Sequence, residues 1–223
     1  MKKATVWETL PELATALGET AWMVFLSFII TLVLGTAIGV LLRLTAPDGQ
    51  RPNAAFYRVF GAIVNIVRSL PFIILLIAVI PLTRQLVGTA YGATAATVPL
   101  SLGAAPFFGR VVEGALREVA PGKVEAAQVM GASTWQIVRK VLLPEALSPL
   151  VSGATLTLVM LIGYSAMAGA IGGGGVGDFA IRYGYQRFNT PVLLASVVVL
   201  VVIVQLVQSI GDLILRSLAH RRA

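Results

Sequence analysis

Residues 125–144 read Glu125-Ala-Ala-Gln-Val-Met-Gly-Ala-Ser-Thr-Trp-Gln-Ile-Val-Arg-Lys-Val-Leu-Leu-Pro144, a polar island between two strongly apolar stretches. Pro121 and Gly122 just before it mark a helix start, and Lys123 to Met130 are mostly good helix formers. Gly131 is suited to the left-handed residue that ends such a helix. Ser133 and Gln136 have the spacing of a capping box, in which hydroxyl and amide satisfy backbone donors at a new helix start. Pro144 is expected to end this second helix. Within it Ile137, Val138, Val141 and Leu142 share one face and Arg139 and Lys140 the other. The pattern therefore predicts a bent pair of short amphipathic helices. By pattern alone, such a pair also suits a loop lying on lipid headgroups.

The surrounding chain is too apolar for a soluble domain. It has 223 residues, 57% hydrophobic and 12% charged, with a mean hydropathy of +0.87. The absence of cysteine closes disulfide, thiolate-metal and cysteine-nucleophile chemistry. The net charge of +7 does not point to nucleic acid, because the charges cluster between apolar spans. Five stretches approach the roughly 20 residues needed to cross a bilayer: about Trp22–Leu42, Val59–Leu82, Ala90–Val112, Ser148–Gly169 and Val192–Leu215. The third carries Pro99 and Pro106 and is rich in small residues, which suits a helix packed among protein neighbours. The first lies too far from the start to be a cleaved signal.

Basic residues set the expected orientation. With the Glu125 loop inside, the cytoplasmic side holds eleven: Arg43, Arg51, Arg58, Arg110, Arg117, Lys123, Arg139, Lys140, Arg216, Arg221 and Arg222. The other side holds five, Lys2, Lys3, Arg84, Arg182 and Arg187. An outside N-terminus and a cytoplasmic C-terminus follow.

The loop resembles the EAA loop of ABC importer permeases: Glu125, Ala126, Ala127, then Gly131, Val141, Leu143 and Pro144, with Val141 where isoleucine is usual. The resemblance extends over about Thr20–Arg216 and is strongest to the permeases of methionine importers. It is carried by Ala62-Ile-Val-Asn-Ile-Val-Arg-Ser-Leu-Pro-Phe-Ile-Ile-Leu-Leu76, Gly103-Ala-Ala-Pro106, Leu143-Pro-Glu-Ala-Leu147 and Gly163-Tyr-Ser-Ala-Met167. It implies an all-α polytopic membrane protein of the bacterial inner membrane, with about five transmembrane helices and a cytoplasmic coupling helix pair. A short segment, 1–18, precedes a permease domain, 19–216, whose coupling loop is 120–146, and a basic tail, 217–223, follows. It further implies that the seven EAA-loop residues engage a separate ATPase, that two ATPase copies serve two copies of this chain, and that a periplasmic or lipid-anchored binding protein delivers methionine, as either enantiomer. ATP and Mg would be bound by the ATPase and no cofactor by this chain.

Individual residues divide between roles. Arg68, the ionisable residue within the second span, either snorkels to headgroups or pairs with carbonyls near Pro71, or else it lines the translocation path. Gly169–Gly177 lacks the Gly-Lys-Ser/Thr of a phosphate loop and reads as a flexible outer connection. In similar permeases its neighbourhood lies near the pore, which makes Tyr164, Ser165 and Met167 pathway candidates, with core packing as the rival role. A permease for a polar amino acid or another small solute is the alternative within the class. A secondary transporter would need intramembrane acids or inverted repeats, and Asp212 is the one acidic residue of the last span. A membrane enzyme would need an acid–base constellation, whereas the sole histidine, His220, lies in the tail.

Overall fold

The computed structural model describes residues 5–219; Lys2, Lys3, His220, Arg221 and Arg222 lie outside the described residues. Among the described residues every regular element is helical. After a 3₁₀ turn at Trp7–Thr9 come α1 (Leu10–Thr45), α2 (Ala54–Ser69), α3 (Phe72–Ala78), α4 (Ile80–Val87), α5 (Ala93–Arg117), α6 (Pro121–Val129) and α7 (Thr134–Ile137). A π-helical stretch, Val138–Leu142, leads to α8 (Leu143–Glu145), followed by α9 (Leu147–Gly169), α10 (Gly175–Phe179), a second π stretch at Ala180–Tyr185, and α11 (Thr190–Ala219).

Four helices, α1, α5, α9 and α11, are long and apolar enough to cross a bilayer, and α2 with α3 makes a fifth candidate as a bent pair. The five expected spans are thus present, with changed limits. Leu10–Gly18 belongs to the same helix as the first span, and α11 runs to Ala219. The second span is not one continuous helix. Its backbone leaves helical geometry at Pro71 (φ −56°, ψ 129°), where the ring removes a donor and pushes the preceding residue out of the α region. Helix α5 runs unbroken through Pro99 and Pro106 and continues beyond Val112 to Arg117. Its most apolar window is 67% buried, against 11% for α11. The small-residue composition of the third span therefore marks a helix surrounded by protein.

The chain divides into two compact units. One comprises Met1–Ile30, Leu70–Gly103 and Leu158–Ser209. Leu13, Ala16, Val176, Phe179 and Val192 form its buried cluster. Trp22 Nε1 donates to Thr94 Oγ1 at 3.2 Å on an exposed face, and the buried Ser27 Oγ donates to the Thr97 carbonyl at 3.4 Å, so polar contacts link α1 to α5. Such pairings are favoured where water cannot satisfy the groups instead.

The other unit comprises Thr31–Ser69, Ala104–Thr157 and Ile210–Ala223. Here α1 and α5 touch through glycine: a Cβ at Gly35 would stand 2.8 Å from the Phe108 ring, and one at Gly109 2.5 Å from Ile38. A Cβ at Gly39 would likewise collide with Val112. Gly35 and Gly39, four residues apart, form the small-residue stripe that lets two membrane helices approach. Phe108, Val112, Ala115, Leu116 and Val119 then meet Ala127, Ile137, Val138, Leu142 and Ala146 in one buried cluster.

Filling the α1–α5 contact is expected to be costly. Gly39→Val should lower stability by about 2 kcal/mol or more, as overpacking does, and membrane abundance with it. Gly18→Ala, whose added methyl meets nothing within 4 Å, should leave both intact. Thermal unfolding of the detergent-solubilised variants checks the pair.

Candidate coupling surface and transport path

The 121–146 segment is built by local rules. Pro121 occupies the first turn of α6, where its missing N–H has no partner to lose. Helix α6 closes with a Schellman motif: the Ala132 N–H donates to the Ala127 carbonyl at 3.0 Å and the Gly131 N–H to that of Gln128 at 2.9 Å. Gly131 is left-handed, with φ 77°. Ser133 Oγ then accepts from the Gln136 N–H at 3.4 Å while Gln136 Oε1 accepts from the Ser133 N–H at 2.7 Å, a complete capping box. Both start and stop signals stand where the sequence placed them.

Pro144 does not end the second helix. The chain widens into the π turn at Val138–Leu142 and continues through Leu143–Glu145, with Pro144 in the first turn of α8. A π turn opens the ring of hydrogen bonds, so the pyrrolidine has room against the preceding turn that a regular α-helix denies it. Two side-chain ties hold the pair in place. Lys123 Nζ lies 2.6 Å from Glu145 Oε2, and Arg51 Nε donates to Thr134 Oγ1 at 3.3 Å.

The seven EAA-loop residues do not share a face. Glu125, Ala126, Gly131 and Pro144 are exposed. Ala127 is buried, and Val141 and Leu143 are half-buried against the cluster that includes Leu116 and Val138. Ala127, Val141 and Leu143 therefore shape the segment, and Gly131 makes its turn, while Glu125 and Ala126 present it. Sequence reasoning missed the apolar surface beside them: Val129 is 89% exposed, Met130 80% and Trp135 66%. Its signal was available, since three large apolar residues fall at positions outside the Ile137–Leu142 stripe.

The expected path residues separate as well. Tyr164 stacks on Phe72, with ring centroids 4.0 Å apart and planes 6° off parallel. Ser165 is buried, its hydroxyl donating to the Ile162 carbonyl at 2.7 Å. Met167 is 40% exposed, one turn from Gly163, around which an added Cβ would meet nothing within 4 Å. Only Met167 of the three offers a free surface. Arg68 stands in the last turn of α2 rather than at mid-helix and is exposed, and among the described residues its side chain forms no hydrogen bond or ion pair. A cation at that end also complements the helix dipole.

Gly169–Gly177 is a tightly packed turn rather than a flexible connection. Glu19 Oε2 accepts from the Gly175 N–H at 2.6 Å, Thr20 Oγ1 accepts from that of Val176 at 2.9 Å, and the Gly172 carbonyl accepts from the Gly92 N–H at 2.8 Å. Gly172, Gly174 and Gly175 have positive φ, and a Cβ on Gly169 would stand 2.8 Å from the Gly177 carbonyl carbon. Glycine is required there by backbone approach. Just beyond it Asp178 pairs with Arg182, and this hydrogen bond holds the guanidinium above its ordinary pKa. Among the described residues no group of three or more His, Asp or Glu is placed to hold a metal ion.

A buried-face helix pair ending in an outward apolar surface, carried on a five-span helical domain, has the form of a permease that receives its energy from outside. The family model described as binding-protein-dependent transport system inner membrane component matches residues 35–223, and the chain belongs to that family. It is accordingly a transport component of an inner membrane rather than a catalytic chain. The probable D-methionine transport system permease protein MetI of Vibrio cholerae is 51% identical over 209 residues, 94% of this chain and 93% of that protein. The protein of the same name from Pasteurella multocida is 48% identical over 216 residues, 97% of this chain and 98% of that one. An inward-facing MetNI methionine ABC transporter structure matches with a TM-score of 0.90 and 52% identity, covering 92% of this chain and 95% of that chain. A crystal structure of an amino acid ABC transporter with histidines, at TM-score 0.77 and 17% identity over 97% of this chain and 100% of that chain, shares the fold.

The capping box sets a local prediction. Ser133→Ala should cost about 1 kcal/mol at the start of α7. Amide hydrogen exchange should quicken at Gln136 and Ile137 while α9 stays as protected as in the wild type.

Proposed function

We propose that this chain is the permease subunit of an ATP-driven methionine importer, with two copies forming the path and two ATPase subunits docking on their coupling helices. What supports the coupling role is the exposed trio Val129, Met130 and Trp135 on a segment whose other face is fixed in the core. Covering each such side chain contributes about 1.5–3 kcal/mol, enough for a specific docking surface when Glu125 and Ala126 stand beside it. ATP and Mg belong to the ATPase in this reading, and a binding protein delivers the solute.

The substrate rests on the relatives, named for D-methionine transport at 51% and 48% identity over nearly the whole chain. Met167, exposed on α9, supplies polarizable surface suited to a thioether, while Tyr164 is stacked on the buried Phe72. Ser165 keeps a packing role beside them. In this reading Arg68, exposed in the last turn of α2, snorkels to the headgroups. The charge bias sets the C-terminus in the cytoplasm and the N-terminus outside.

Purified chain, ATPase and binding protein reconstituted in vesicles should take up labelled methionine only with ATP. Robust histidine or glutamine uptake without methionine uptake would move the substrate and keep the class, while uptake driven by an ion gradient without ATP would remove the class. Glu125→Arg and Trp135→Ala should each reduce ATPase co-purification about tenfold, the loss expected of an interface anchor, at unchanged membrane insertion. An alkaline phosphatase fused after Ala223 should be inactive if the C-terminus is cytoplasmic.

A further inference from the structure

Helix α5 has two working faces. At about 100° per residue, Arg110, Glu113 and Arg117 point roughly opposite to Phe108, Val112, Ala115, Leu116 and Val119. The apolar set forms the core beneath the coupling helices. The ionic set fastens α5 to α2.

Glu113 is only 4% exposed. Its Oε2 accepts from Arg110 Nη1 at 2.7 Å, and its Oε1 accepts from the Tyr57 hydroxyl at 2.8 Å and from Arg117 Nη2 at 3.2 Å. Arg110 reaches further along α2, donating from Nη2 to the Gly61 carbonyl at 2.8 Å and from Nε to Asn65 Oδ1 at 3.1 Å. Gly61 leaves the necessary room, since a Cβ there would stand 3.0 Å from that same Nη2. Tyr57, Gly61 and Asn65 succeed one another by one turn, so the network grips α2 over two turns of its length.

Burying an ionic cluster is an expensive way to join two helices, because the desolvation of the charges offsets much of their attraction. What such a cluster provides, and apolar packing does not, is directional bonds that fix register. We propose that Glu113 is a positioning residue for energy coupling: it locks α2 to α5, so that a displacement of the coupling helices is delivered to α2 without slip. This rests on the reading of the chain as an ATP-driven permease. A push at Val129, Met130 and Trp135 reaches α5 through the Ile137, Val138 and Leu142 contacts, crosses the helix, and is handed on through Arg110, Glu113 and Tyr57. Helix α2 then carries it toward its own end at Ser69, beside the break at Pro71.

The measurement is the number of solute molecules imported per ATP hydrolysed, in vesicles containing the full complex, for wild type, Glu113→Gln and Tyr57→Phe at matched amounts of assembled complex. Glu113→Gln is expected to keep hydrolysing ATP while import per ATP falls about fivefold or more, the lower bound of an ordinary coupling free energy. Tyr57→Phe, which removes one hydroxyl and keeps the ring, is expected to lower the ratio in the same direction by less. Import and hydrolysis falling together at a constant ratio would reduce the network to a stabilising role and overturn the proposal. If Glu113→Gln does not assemble, Tyr57→Phe decides, and an unchanged ratio there overturns the proposal equally. The wild-type arm tests the functional reading separately: ATP-independent uptake defeats that reading, whereas normal wild-type import with unchanged variant ratios defeats only the role of Glu113.

Discussion

The burial of one face of the 121–146 segment against α5 is the contact on which the functional architecture depends. Ile137, Val138 and Leu142 are each at most 2% exposed, as are Val112 and Leu116 opposite them. Interiors packed this closely transmit displacement rather than absorb it. Because that face is fixed, the outward surface at Glu125, Val129, Met130 and Trp135 is held by a rigid support instead of a mobile loop. The Schellman turn at Gly131 and the capping box at Ser133 then set the angle between the two short helices, with the N–H groups of Gly131, Ala132, Ser133 and Gln136 all bonded across the bend.

A second constraint is the accounting of backbone polar groups in an apolar setting. Pro71, Pro144, Pro99 and Pro106 each remove a donor from helical bonding, and the chain answers them in three ways. At Pro71 it breaks the helix, at Pro144 it widens the preceding turn into π geometry, and at Pro99 and Pro106 it keeps α5 intact. The last case depends on burial, because the protein around α5 supplies packing that lipid would not. The glycine-rich turn at 169–177 meets the same demand with side chains: Glu19 and Thr20 accept the N–H groups of Gly175 and Val176.

What was legible in the sequence follows the range of the interactions involved. Pro121, Gly131 and the Ser133–Gln136 box act within a few residues of themselves, and each stands as the spacing predicts. The five spans were legible because length and hydropathy are local sums. The break at Pro71 against the continuity at Pro106 was not, since identical residues are resolved by different surroundings. Gly169–Gly177 reads as flexible from composition alone because the groups that fix it, Glu19, Thr20 and Gly92, lie far away in the chain. Glu113 is hard to see for a related reason: the apolar limit of the third span falls at Val112, one residue short, although Arg110–Glu113 and Glu113–Arg117 have the i,i+3 and i,i+4 spacing of helical ion pairs.

Exposed apolar surface carries different meanings along this chain, and the difference isolates the coupling surface. On α11, exposed Val197, Val201 and Leu206 are what a membrane helix shows to lipid, and their exposure implies no partner. Val129, Met130 and Trp135 stand instead among exposed Glu125, Gln128, Arg139 and Lys140, on a segment whose own apolar stripe is already buried in the core. The hydrocarbon core would leave those charges poorly solvated, and water leaves the trio uncovered. A protein surface with an apolar centre and a polar rim would satisfy both sets together, which is what the proposed docking of an ATPase subunit would supply.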